Sequence, residues 1–231
     1  MRISGSVALV TGANRGIGHH FARQLLERGA KKVYATARNP ELVDLPGVET
    51  LRLDITDPAS VRAAAAAAQD VTLLINNAGV ATSTNLIAGD LAKIRLEMDT
   101  HYYGTLNVVR AFAPVLGANG GGAILNVLSA LSWFSYDGAN AYSAAKAAEW
   151  SLTNGVRLEL AGQGTLVTGV HLGAADTDMM AGYEGDMNDP ADVSRAALDG
   201  IEEGRIEVVV DEWSVKAKAP LSADPSLFYA V

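Results

Sequence analysis

Thr11-Gly12-Ala13-Asn14-Arg15-Gly16-Ile17-Gly18 follows the apolar run Val7-Ala8-Leu9-Val10 and opens a segment, Gly16 to Arg28, long enough for a helix. A strand that turns through three glycines into a helix brings backbone close to a pyrophosphate, which then lies at the positive end of the helix. A glycine triplet alone is a weak signal, because turns need glycine for other reasons. Its position between a strand and a helix gives it weight. The spacing Gly-x3-Gly-x-Gly departs from the commoner Gly-x-Gly-x-x-Gly and points to a narrower group of folds.

The same alternation continues outward from this turn. Lys32 to Thr36, Val48 to Leu53, Val71 to Asn76, Ala123 to Leu128 and Leu166 to His171 read as buried strands. Between them, Pro58 to Gln69, Asp90 to Leu116 and Ala141 to Gly162 read as helices. Repeated strand–helix–strand order implies an α/β fold, a doubly wound parallel sheet with helices on both faces. The alanine run Ala63 to Ala68 belongs to a crossover helix that starts at Pro58. Gly117 to Gly122 is a turn, and no Pro/Ser-rich linker divides the chain, so residues 1–231 are read as one domain. Residues 1–120 mainly bind a dinucleotide; residues 121–231 carry catalytic residues, a substrate lid and the C-terminal segment. There, Asp189-Pro190 starts a helix, Ile206 to Val210 is a last strand, Asp211 to Leu221 is a helix, and the remainder is a surface tail.

Composition removes several function classes. The 231 residues include 18 Lys+Arg, 26 Asp+Glu and no Cys, a net charge of −8. That balance argues against a nucleic-acid partner. Without cysteine there is no disulfide, thiolate metal site or cysteine nucleophile. The four His, at 19, 20, 101 and 171, have no metal-binding spacing. No apolar run approaches the ~20 residues of a membrane span, and the N-terminus lacks the shape of a signal peptide. The expectation is a soluble, cytoplasmic protein without a membrane partner.

Three further groups of residues carry chemistry. The second strand ends Thr36-Ala37-Arg38, where an acidic residue would hold a ribose 2′-hydroxyl; an Arg suits the 2′-phosphate of NADP instead. Arg15 lies in reach of the same phosphate, so NADP(H) is preferred over NAD(H). Asn76-Asn77-Ala78-Gly79 ends the fourth strand, and ligands bind at the carboxyl ends of parallel strands. Ser129 ends the fifth strand, while Tyr142 and Lys146 are four apart and share a helix face. An adjacent ammonium draws a tyrosine, with an ordinary pKa of ~10, toward the working range of a proton relay. Ser129 then holds a substrate oxygen beside the phenol.

Taken together and in order, the glycine loop, Asp54, Asn76 to Gly79, Ser129 and Tyr142-Ser-Ala-Ala-Lys146 make the chain resemble the short-chain dehydrogenase/reductase family over nearly its whole length. The resemblance implies a Rossmann-type fold and NAD(P)-dependent hydride transfer, with Tyr142 as general acid/base. It implies that Lys146 also binds the nicotinamide ribose and that Ser129 orients the carbonyl. By the same resemblance Gly12, Asn14, Arg15, Gly16, Ile17 and Gly18 hold the cofactor, with Asp54 and Ile55 lining the adenine. Asn77, Ala78 and Gly79 flank the adenosine ribose, and Thr177 meets the carboxamide.

Two positions depart from the family pattern. His101 stands where members usually carry Asn, three residues before Gly104, which leaves the proton relay open. Leu172-Gly173 replaces Pro-Gly, loosening backbone near the nicotinamide while keeping the glycine. On the substrate side, Trp133, Phe134, Met179, Met180, Tyr183 and Met187 suggest an apolar pocket for a ketone or aldehyde, or packing against the core. Asp178 and the other acids of this lid are read as solvated. The leading reading is an NADPH-dependent carbonyl reductase, reversible as an alcohol dehydrogenase. An imine or enone reductase and a non-catalytic NADP-binding regulator stay open; a sugar-nucleotide epimerase lacks a second region. The long helices carry Val108, Val109, Phe112, Trp150 and Leu152, and because such helices pair across a two-fold axis in the family, the resemblance implies a homodimer or homotetramer.

Overall fold

A computed structural model describes residues 1–227 and 229. Seven strands form one sheet: β1 (Val7–Thr11), β2 (Lys32–Ala37), β3 (Glu49–Arg52), β4 (Leu73–Asn76), β5 (Ala123–Val127), β6 (Leu166–His171) and β7 (Glu207–Val209). Their order is β3-β2-β1-β4-β5-β6-β7, and every neighbouring pair is parallel. The order reverses between β1 and β4, and at such a point a crevice opens beyond the strand ends. The glycine loop after β1 and Asn77 after β4 both lie there.

Helices cover both faces because the inner strands are apolar on both sides. Ala8 and Val10 of β1 face Phe21 and Leu25 of α1 (Gly16–Glu27) and Val193, Leu198 and Ile201 of α6 (Pro190–Glu202). Val7 and Leu9 face the opposite layer. That layer contains α2 (Pro58–Ala67), α4 (Thr105–Ala118) and α5 (Asn140–Glu159), with Val61, Phe112, Leu116 and Val156 at its centre. Asp57 caps α2 and Asp189 caps α6, each carboxylate accepting a backbone N–H two residues on. Pro follows each cap, where its missing N–H costs nothing.

The expected helix Asp90 to Leu116 is interrupted. Its first part is α3 (Leu91–Met98), and Asp99–Gly104 then widens into a π-helical turn before α4 begins. Such turns inside α-helices often mark functional sites, and this one carries His101. The last helix, α7 (Glu212–Lys218), is shorter at both ends than expected. The described part of the tail lies on the surface as expected, with residues 222–226 exposed; Pro225–Leu227 forms a turn, and the Tyr229 hydroxyl accepts a hydrogen bond from the Ser135 N–H at 2.9 Å. Phe228, Ala230 and Val231, the rest of that expected tail, lie outside the described residues. Val108, Val109, Phe112 and Leu152 are core residues, so they offer nothing to a partner subunit. Trp150 packs against the small cluster of Ala130, Trp133 and Ala217. Among the described residues no helix is long and apolar enough to cross a membrane.

Candidate active site

Thr11 joins the two loops at the crevice. Its hydroxyl accepts hydrogen bonds from the Asn77 and Ala78 N–H groups at 2.9 and 3.0 Å. The Asn77 amide donates back to the carbonyls of Thr11 and Gly12 at 3.0 and 3.2 Å. Gly12 has φ +66°, and a Cβ on Gly18 would lie 2.2 Å from the Gly12 oxygen and 2.5 Å from Asn77 Nδ2. Loop and helix thus meet as bare backbone. Arg15 precedes α1 and makes no side-chain cap, so first-turn N–H groups stay open to an anion. A cradle that any side chain would fill fits a dinucleotide pyrophosphate.

On the flank of the cradle, the Ala13 N–H donates to Thr36 O at 2.9 Å, which brings the end of β2 alongside. Arg38, two residues on, is exposed and in no ion pair among the described residues. The Asp54 carboxylate accepts from both the N–H and the hydroxyl of Thr56, at 3.0 and 2.7 Å. Ile55 is buried and packs against Gly104 in the π-helical turn, its Cδ1 2.8 Å from where a Cβ would stand.

Ser129, at the end of β5, is buried, and its Oγ accepts a hydrogen bond from the Leu131 N–H at 3.1 Å. Tyr142 and Lys146 project from the first turns of α5, with the Lys146 ammonium 5.8 Å from the Tyr142 ring centre. Lys146 is buried, donating to the Val127 carbonyl at 2.8 Å and to Glu149 Oε2 at 2.7 Å. Burial opposes its charge, but Glu149 and the other negative groups outweigh burial and hold Lys146 above its ordinary pKa. The phenol responds differently from the sequence expectation. Burial, the strongest influence, raises the Tyr142 pKa above its ordinary value; Lys146 and a hydrogen bond with Ser129 pull it down, while Glu149 adds to the rise. Lys146 does pull the phenol down, but burial outweighs that pull.

The short chain dehydrogenase family profile matches residues 6–188. The chain belongs to the short-chain dehydrogenase family. An NADPH-dependent 1-acyldihydroxyacetone phosphate reductase of Schizosaccharomyces pombe is 35% identical over 79% of this chain, the match spanning 64% of that protein's length. A solved short chain dehydrogenase from Burkholderia cenocepacia, in complex with NADP, is 40% identical, covers 100% of this chain and 98% of its own, and superposes with a TM-score of 0.95. A family protein from Burkholderia phymatum, in complex with NAD, shares the fold at 23% identity and a TM-score of 0.83, over 94% of this chain and 92% of its own.

Within this short-chain dehydrogenase, several expected positions have partners that the sequence did not disclose. Arg15 Nη1 pairs with Asp178 Oδ2 at 3.0 Å, so Asp178 is not simply solvated, although both side chains stay largely exposed. Thr177 lies against the glycine loop, its Cγ2 3.1 Å from where a Gly16 Cβ would stand. The backbone at Gly173 is pinned rather than loosened: its N–H donates to Asp211 Oδ2 at 2.8 Å, and Leu172 is buried. Asp211 also caps α7 through the Ser214 N–H, so one carboxylate fixes two elements.

The expected substrate residues divide. Trp133 stacks on His171 with centroids 4.0 Å apart, beneath Lys218, and is a core residue. Phe134 meets Trp213 edge-on and, with Tyr136, Lys216 and Tyr229, lines a cavity of about 360 Å³ whose walls do not include Ser129, Tyr142 or Lys146. Met179, Tyr183 and Met187 are exposed and Met180 is half-buried, on a loop tied at its base by the Ala175–Asn188 bridge. Glu97 and Glu149 were missed altogether. Their only sequence signal is spacing: Glu97 four residues before His101 and Glu149 three after Lys146, each carboxylate one turn from a basic side chain on the same helix face.

Proposed function

We propose that this short-chain dehydrogenase reduces a small ketone or aldehyde to an alcohol, with NADPH as hydride donor. The observation that carries the reading is the meeting of Ser129, Tyr142 and Lys146 beside a glycine cradle with no room for side chains. When bound, the cofactor supplies the hydride that goes to the carbonyl carbon. Gly12, Asn14, Gly16, Ile17 and Gly18 hold its pyrophosphate; Asn77, Ala78 and Gly79 its adenosine ribose; Asp54 and Ile55 its adenine side. Gly173 and Thr177 border the reactive end, and Lys146 holds the ribose there.

Ser129 donates to the substrate oxygen and keeps it beside the phenol. As negative charge gathers on that oxygen, Tyr142 gives up its proton, and Lys146 stabilises the phenolate left behind. A raised pKa suits this direction, because the acid must arrive protonated. Exposed Arg38 supports NADPH over NADH, since a guanidinium matches the 2′-phosphate in bidentate fashion. Arg15 reaches that phosphate on leaving Asp178. The names of the yeast reductase and the NADP-bound Burkholderia protein agree with this choice. The substrate wall contains Met179, Met180 and Tyr183; Trp133, stacked in the core, and Phe134, in a cavity apart from Ser129, Tyr142 and Lys146, lie outside it. The reading includes a homo-oligomer.

The test is NADPH oxidation by the purified protein against a panel of ketones, aldehydes, imines and enones. Turnover confined to carbonyls supports the proposal. Turnover confined to imines or enones replaces it with those chemistries, and cofactor binding without turnover leaves a regulatory binder.

A further inference from the structure

Behind Lys146 lies a cluster that the proposed reduction does not require as such. Glu97 from α3, His101 from the π-helical turn, and Glu149 and Lys146 from α5 are all at most 5% exposed. Glu149 Oε1 accepts from the Thr105 hydroxyl at 2.8 Å, and Glu97 Oε1 accepts from the Thr82 N–H at 2.6 Å. Two carboxylates are therefore buried around a single ammonium. An uncompensated buried charge is costly, and the interior tolerates ions only when they are paired.

The imidazole of His101 is placed to supply the missing positive charge. Nε2 lies 2.8 Å from the Val80 carbonyl, which can only accept, so this nitrogen carries a hydrogen. The Val80 N–H is farther from it, at 3.4 Å, as is Glu97 Oε2. On the other side of the ring, Nδ1 faces Glu149 Oε2 at 3.8 Å. Nδ1 and Glu97 Oε2 are the two atoms of the cluster left without a hydrogen bond among the described residues. The ring meets Tyr142 edge-on at 5.2 Å, and its Cε1 is 2.8 Å from where a Gly79 Cβ would stand, so the imidazole is wedged and cannot turn away. Glu97, Glu149, Lys146 and Tyr142 are the titratable groups that face it.

We propose that His101 is an imidazolium bridging Glu97 and Glu149, and that the His101–Glu149 pair returns the proton that Tyr142 spends in each turnover. The inference rests on the reductase reading for its second half only. After reduction, the phenolic proton is on the product oxygen. Lys146, whose ammonium lies 5.8 Å from the phenol ring centre, returns one proton to the phenolate; Glu149 Oε2, 2.7 Å from that ammonium, carries the Nδ1 proton of His101 to the lysine, and a proton from solvent restores the ring. Only protons move in these steps. His101 and Glu149 are positioning residues, acting through Lys146 without touching substrate.

The first measurement is ¹⁵N NMR of the full chain labelled at histidine, near neutral pH and without cofactor, with the His101 signals assigned by their loss in His101→Asn. Two protonated ring nitrogens are expected, reverting to a neutral tautomer in Glu149→Gln. A neutral His101 in the unaltered chain overturns the charge assignment, whether or not any carbonyl is reduced. The second measurement is kcat for one accepted carbonyl over about pH 5 to 9. His101→Asn should lower kcat by about 10-fold and remove one ionisation from the profile, with KM for the carbonyl unchanged. Glu149→Gln should remove the same ionisation. A uniform loss at every pH, or a KM effect alone, would mean a structural role and overturn the relay. If no carbonyl is turned over, the reductase reading and the relay fall together while the NMR result stands.

Discussion

The Tyr142 phenol sits among groups that pull its proton affinity in opposite directions: burial and Glu149 raise it, Lys146 and Ser129 lower it. The balance keeps the proton on at neutral pH. Carbonyl reduction needs that protonated form, so the phenol itself should add no ionisation to the reduction rate near neutrality. Alcohol oxidation needs the phenolate, so its rate should climb into the alkaline range, toward and beyond the ordinary tyrosine value of ~10. Initial rates in both directions on one ketone–alcohol pair check this, and an oxidation rate already level at pH 7 would contradict it. A second outcome belongs to Arg38. With no ion pair to Arg38 among the described residues, Arg38→Asp should repel the 2′-phosphate, accept from the ribose hydroxyls instead, and reverse or abolish the preference for NADPH. The ratio of kcat/KM for NADPH and NADH measures it, and equal values in the unaltered protein would count against the reading.

Elements were legible in the sequence where their determinants are local. β6 lies where its short run of β-branched residues places it, and α1 begins within the glycine loop, at Gly16. The π-helical turn at Asp99–Gly104 was not legible, because its spacing is set by contacts from elsewhere: Ile55 against Gly104, and His101 against Gly79 and Val80. Glu97 and Glu149 come from separate helices, so no window of sequence unites them. The same holds for Asp211, whose two roles require β6 and α7 to be adjacent. Oligomer formation is also an element-scale matter. With Val108 and Phe112 turned inward, the surfaces left on these helices are Leu91, Leu96 and Tyr103 on the α3 side and Leu158 on α5, all exposed. Covering such residues favours pairing. Light scattering at micromolar concentration should give a dimer or tetramer mass, and a monomer mass would reject it.

For the molecule as a whole, stability should depend on acid through His171. It is fully buried in β6 beneath Trp133, and its pKa is lowered from 6.5 to about 4 by burial, against the Ser129 carbonyl and Glu207, which raise it. Between those values the unfolded chain binds a proton that the folded chain refuses, so stability falls as pH drops from 6.5 toward 4. The loss between pH 7 and pH 5 should be about 2 kcal/mol. Urea unfolding at the two pH values measures it, and His171→Gln should flatten the difference.

The parallel sheet, its glycine cradle and the Ser129–Tyr142–Lys146 group form one continuous arrangement, and the central claim is that the phenol at its end protonates a reduced carbonyl. Tyr142→Phe keeps the ring and removes only the hydroxyl. Measured side by side with the unaltered protein, NADPH-dependent turnover of an accepted carbonyl should fall at least ~100-fold, with NADPH affinity little changed. Near-normal turnover in Tyr142→Phe would contradict the account.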